Sequence, residues 1–301
     1  MPEGYSIHFL QGADAELAAP SEVEVYERMG ASTTFRLTYP LDIVYQALPF
    51  LAKPGIGPEA EVAIFVESTA GAECLVKGPV YAQTAALRHG GSDSSLDVMG
   101  GDRTIVMDRE DKALVWSEVS DSDAVTQLLG QYGLTPDVEA TPARHTENKR
   151  SLVQRETDLV FIRRLARANG CLFWVTTDPE ELETAHFRRP PVDGLPAGDL
   201  LINLEASSLE SLTLNWDVER PTATTSHQLD GEQKSVYSAS TAASPLSTLG
   251  GAPLSSLVST PRTAHVGAAV AELAQLQALN EGYLIESGFF VTVHCTTTFQ
   301  A

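Results

Sequence analysis

Cysteine is scarce in this chain of 301 residues: Cys74, Cys171 and Cys295 stand far apart, and no Cys-x-x-Cys pair occurs. A disulfide framework or a zinc site is therefore not expected, and the three thiols read as reduced core residues. No apolar run approaches the roughly 18–20 residues that a bilayer-spanning helix needs, so no integral membrane segment is expected. The first residues carry no basic stretch leading into an apolar one. A secretory signal is not expected, and the simple reading is assembly in the cytoplasm. Positive charge is also short, with 20 Lys and Arg against 40 Asp and Glu and a net charge of −20. That balance argues against nucleic-acid binding through a general basic surface. No Walker A or Gly-x-Gly-x-x-Gly motif is present, and none of the 7 histidines has HxxxH or HExxH spacing. His89-Gly90-Gly91-Ser92-Asp93 lacks an accompanying Gly-x-Ser-x-Gly elbow and reads as a hairpin turn. No catalytic, cofactor-binding or metal site is predicted, and no cofactor is called for.

What is present is β-rich at both ends. Glu22-Val23-Glu24-Val25 alternates, as a half-buried strand does. Further strands are expected at Thr33–Tyr39, Glu61–Glu67, Glu73–Val80 and Ser94–Asp102, with turn residues such as Pro54-Gly55, Gly71 and Gly90-Gly91 between them. Short strands spaced this way suggest a barrel or sandwich. Leu41–Leu51 reads as a short helix or an irregular connection. Towards the end, Leu200–Leu204, Ser211–Glu219 and Phe289–Phe299 read as strands. Residues 222–262, rich in Thr, Ser, Ala and Gly, read as a long loop or a poorly packed insertion. A helix is expected over 265–280, with Val266, Ala269, Val270, Leu273 and Leu276 on one stripe.

The middle of the chain differs. Ser120-Asp121-Ser122-Asp123 offers a serine cap with acids in the first helical turn, and Val125, Leu128, Leu129 and Tyr132 follow at helical spacing up to Gly133. The run Leu152–Trp174 reads as strand end, capped helix, glycine stop and new strand. Thr157 and Asp158 compete for the N-cap, Leu159, Ile162 and Ala166 mark one face with Leu165 beside it, and Asn169-Gly170 ends the helix. Cys171–Val175 and Ala185–Arg189 are partner strands. Glu156-Thr157-Asp158 is better explained as a helix start than as a catalytic acid pair. Trp116 and Trp174 read as core, with a glycan platform as the sharper alternative. Basic residues concentrate here: 7 lie between Arg144 and Arg167, against Glu147, Glu156 and Asp158. They read as a solvated face or as a docking surface for an acidic neighbour in an assembly.

The central run resembles the signature of the late control D and tail-hub family of contractile phages and phage-tail-like injection systems, including the hub part of type VI valine-glycine-repeat protein G. The signature residues are Gln154, Glu156, Thr157, Asp158, Phe161, Arg164, Leu165 and Gly170, and their role is structural. Arg155 stands where the family commonly has the tyrosine of a Gln-Tyr pair. The resemblance implies an α+β, mainly β fold. Two tail-tube-like barrels, at about 1–110 and 196–301, are joined by an α/β insert at about 111–195. The second barrel is expected to be incomplete, with the native chain continuing beyond Ala301.

As for function, the resemblance implies a structural baseplate hub rather than an enzyme. A homotrimer would adapt a six-fold inner tube above to a separate three-fold spike protein below, with other baseplate subunits around it. It would end as part of a phage tail or tail-like particle. The alternatives are a hub protein of a non-contractile tail and a peptidoglycan-binding module.

Overall fold

The computed structural model describes residues 4–12, 14, 16–41, 53–68, 71–89, 93–196, 201–202, 209–230 and 234–297. Residues 42–51, the turn at 90–92, residues 200 and 203–204 of the apolar Leu200–Leu204 segment, and 298–301 lie outside them.

The first strands are β1 (Tyr5–Phe9), β2 (Glu22–Tyr26), β3 (Thr34–Pro40), β4 (Glu61–Ser68), β5 (Gly71–Ala86) and β6 (Ser95–Gly101). Alternation forms them: in β3, Phe35, Leu37 and Tyr39 are buried while their neighbours are half-buried. This period of two places one face on a core that also takes Ile7, Val62, Ile64, Val76, Leu96 and Val98. β5 is longer than its alternating run suggests. Its first part pairs with β4 and its second with β6, with a register shift between Val80 and Ala82. Such a bulge bends a strand and lets it serve two neighbours.

The middle of the chain contributes β7 (Asp111–Trp116), β8 (Val119–Ser120), α1 (Asp121–Gln131), β9 (Thr135–Val138), β10 (Arg144–His145), β11 (Leu152–Thr157), α2 (Asp158–Asn169), β12 (Leu172–Thr177) and β13 (Glu183–Arg188). Ser120 caps α1 in a reciprocal capping box with Asp123. Thr157, not Asp158, caps α2, because its hydroxyl accepts from the Val160 amide. Val125, Leu128 and Leu129 of α1 meet Leu159, Phe161, Ile162 and Leu165 of α2 in a second core, closed by Phe173 and Phe187. β12 and β13 do not form a separate small sheet with the helix pair; the separate sheets there are the two-stranded β7–β11 and β8–β10. β12, β13 and β9 continue the first sheet through Thr177 and Cys74, giving nine strands with the path β2-β3-β6-β5-β12-β13-β9 and β1 on β4.

The remaining elements are β14 (Leu209–Trp216), β15 (Ala223–Asp230), β16 (Ser235–Thr241), α3 (Leu254–Leu257), β17 (Thr263–His265), α4 (Leu273–Gly288) and β18 (Val291–Thr297). Three expectations change here. The Thr- and Ser-rich stretch is not all loop, since β15 pairs with β16 and β17. Its inward residues Thr222, Thr224 and Ser226 are buried, and Thr224 and Ser226 hydrogen-bond to Asn280 of α4. The last helix starts at Leu273, so Val266, Ala269 and Val270 precede it. The Gln228 side chain binds both the amide and the carbonyl of Val270 at 2.7 Å, which takes those groups from a helix. β14 pairs only with β18 among the described residues, and past Leu209 it is exposed on both faces rather than half-buried.

The mainly β, α+β class holds. Closed barrels do not form among the described residues. β1, β2 and β9 remain outer strands of the first sheet, and β14–β18 and β16–β15–β17 are separate open sheets. Cys74 and Cys171 are buried as expected, but Cys295 on β18 is exposed.

Candidate functional site: the buried junction around Asp158

The signature residues gather where β7, β11, α1 and α2 meet. β7 and β11 run antiparallel, with Lys112 opposite Glu156 and Trp116 opposite Leu152. The first turn of α2 then carries Asp158 into the core, where it is fully buried. Its carboxylate accepts from Lys112 Nζ at 2.5 Å, Tyr132 Oη at 2.6 Å and Gln154 Nε2 at 2.7 Å. Gln154, also fully buried, accepts in turn from Trp116 Nε1 at 3.2 Å. Burial alone would raise the Asp158 pKa. The hydrogen bonds from Lys112, Tyr132 and Gln154 outweigh it and hold the carboxyl below its ordinary 3.8. Burial and the Asp158 carboxylate push the Tyr132 hydroxyl the other way, so it stays a donor.

Around this centre the other residues act as clips. Thr157 caps α2 and donates to Asp108 at 2.6 Å. Arg164 donates to Glu156 at 2.7 Å and to the Val153 carbonyl at 2.9 Å, and lies 5.2 Å from the Phe161 ring centre. Phe161 stacks on Trp116 with centroids 6.0 Å apart. Leu165 is buried in the same core. Gly170 ends α2 with φ 68°, the left-handed cap that favours glycine. The family resemblance brought Gln154, Glu156, Thr157, Asp158, Phe161, Arg164, Leu165 and Gly170 to notice. It missed Lys112 and Tyr132, because the nearer of them is 26 residues from Asp158 and nothing local marks the pairing.

The junction is braced on both sides. Towards the first sheet, Arg103 bridges Glu61 at 2.7 Å and Glu183 at 2.9 Å, and Lys77 donates to the Glu181 carbonyl at 2.8 Å. Towards the last elements, His145 meets Gln275 of α4 at 3.4 Å and contacts Asp121 at 2.7 Å, and Asp121 accepts from Asn169 at 2.8 Å. There α2 and α4 cross at Gly170 and Gly282. A Cβ on Gly282 would come within 2.7 Å of the Gly170 amide nitrogen and 2.9 Å of the Arg167 carbonyl. A lone glycine within an apolar helical run is the sequence signal for such an approach, and Gly282 carries it.

The chemistry of this arrangement is that of a fastener. Asp158 is saturated by donors, and the residues around it are packed against one another rather than facing a cleft. Among the described residues no group of three or more His, Cys, Asp or Glu could hold a metal ion. Trp174 stacks on His186 at 4.7 Å, and Trp116 is engaged by Phe161 and Gln154. No helix among the described residues is long and apolar enough to cross a membrane.

Residues 52–280 match the family model described as the Alg8 N-terminal domain. No curated protein matches the sequence. Among solved structures, the chain is similar to the prophage MuSo2 43 kDa tail protein from Shewanella oneidensis, with a TM-score of 0.64 and 14% identity over 98% of this chain and 83% of that one. It is also similar to the tail protein from Neisseria meningitidis MC58, with a TM-score of 0.62 and 15% identity over 98% of this chain and 80% of that one. The likeness is one of fold: this chain has the architecture of these two tail proteins.

Proposed function

This chain belongs to the Alg8 N-terminal domain family, and we propose that it is a structural component of a phage tail-like particle, the baseplate hub of a contractile injection system. The observation that carries this reading is the shared fold over 98% of the chain with two phage tail proteins. The saturated, closed junction around Asp158 supports a mechanical rather than an enzymatic role.

In this reading the signature residues keep an α/β insert, about 111–195, rigid between two β units, about 1–110 and 196–301. Three chains with two tube-like units each present six such units to an inner tube, while their three-fold axis accepts a separate spike protein. Other baseplate subunits surround the trimer. Assembly takes place in the cytoplasm, and no cofactor takes part.

The test is cryo-electron microscopy of particles from the native host, with this chain located by its side-chain density. Three copies between tube and spike are expected. A chain absent from every tail-like particle would sink the reading. The same position in particles without a contractile sheath would move the protein to non-contractile tails.

A further inference from the structure

Four arginines from separate parts of the chain line one cleft of about 700 Å³: Arg28 from the β2–β3 turn, Arg163 and Arg167 from α2, and Arg220 after β14. Ile285, Phe289 and Val291 give its wall an apolar part, and Glu286 is the one acid in the lining. In a chain with 40 acids and 20 bases, acids for an arginine to pair with are plentiful. Among the described residues, Arg28 and Arg163 nevertheless form no ion pair. Arg163 donates to Ser32 at 3.2 Å, and its buried Nε has no hydrogen-bond partner there. Arg167 stands 3.7 Å from Glu286 with a side chain 80% exposed, too loose a pair to hold either group. Arg220 is tethered by Asp217 and the Glu286 carbonyl, so it is held at the rim.

We propose that this cleft is a docking site for an acidic, partly apolar peptide segment of a different protein. The arginines supply planar, forked donors for carboxylates, and the apolar wall takes the intervening side chains. The Debye length is about 8 Å at physiological salt, so local arginines outweigh the distant acids that give the molecule its net charge. A nucleic-acid strand fits less well, because it has no aliphatic side chain to bury and meets the acidic surface on either side. The proposal stands on the cleft itself and not on the hub reading.

The test uses fluorescence polarisation with the whole chain. The probes are labelled peptides in which Asp or Glu alternates with Leu or Phe, the same peptides with Lys for each acid, and a single-stranded oligonucleotide. At least one acidic peptide is expected to bind saturably, with affinity falling as salt rises. The double variant Arg28→Gln with Arg167→Gln, at two exposed positions and without added negative charge, is expected to weaken it at least about tenfold. Its thermal melting should match the native chain's. Arg163→Gln is expected to weaken binding in the same direction. The idea is overturned by no saturable binding to any acidic peptide, by equal binding of the Lys peptides or the oligonucleotide, or by an unaffected double variant. Sedimentation velocity supplies the remaining arm. Self-association lost in the double variant would make a second copy the occupant and overturn the proposal, whereas an unchanged sedimentation coefficient with lost peptide binding supports it.

Discussion

Asp158 shows how one residue ties distant segments together. A carboxylate with no exposed surface is tolerable only when its desolvation is offset, and three donors from β7, the end of α1 and β11 do so. Asp158→Asn removes the ion pair and leaves Lys112 without its counter-charge, so it should cost about 3 kcal/mol in urea denaturation at neutral pH. The native pKa of Asp158 lies below 3.8. Its stabilisation is therefore complete above the unfolded-state value and is lost as pH falls through the native one. The stability gap between wild type and Asp158→Asn is expected to be constant near neutrality and to close in acid. A gap that widened on acidification would show that Asp158 is protonated in the native state.

At the scale of elements, two helical glycines make opposite predictions. Gly282 of α4 faces the backbone of Gly170 and Arg167, where a methyl group has no room. Gly282→Ala forces α2 and α4 apart and should destabilise by about 1–3 kcal/mol. Gly130 of α1 has nothing within 4 Å of an added Cβ. Gly130→Ala only reduces the freedom of the unfolded chain and should stabilise by about 0.5–1 kcal/mol. Denaturant midpoints of the two variants check both signs. Two destabilised variants would mean that the helix crossing is not what sets the difference. The same crossing sets the register of α4, through Gly282 against Gly170 and Asn280 against β15, while Gln228 on Val270 keeps the residues from Val266 out of the helix.

For the whole molecule, charge outweighs any single contact. A net charge of −20 on 301 residues makes the folded state repel itself, and the repulsion is screened as salt rises. Surface ion pairs such as Arg188 with Asp137 and Arg109 with Glu59 are weakened by the same salt, but each is worth little. The melting temperature is therefore expected to rise between low salt and about 0.5 M sodium chloride, where the Debye length shrinks to a few ångströms. A falling melting temperature in differential scanning fluorimetry would show that the ion pairs outweigh the repulsion.

The sequence by itself determined what short-range chemistry decides. The Ser120 capping box, the Gly170 stop and the alternation in β3 and β6 rest on neighbours within a few residues, and the elements form where those signals stand. The residues of the central signature were legible through the family resemblance. Only the tertiary structure decided which distant groups meet. The Lys112–Asp158 pair spans 46 residues, and the β12–β13 strands extend the first sheet instead of building their own. The Thr- and Ser-rich stretch became ordered because α4 offers Asn280 to its buried hydroxyls, a partner 56 residues from Thr224. The arginine cleft joins Arg28 to Arg220 across most of the chain. Pairing at such separations depends on packing and on the satisfaction of buried polar groups, and a local pattern of residues carries neither.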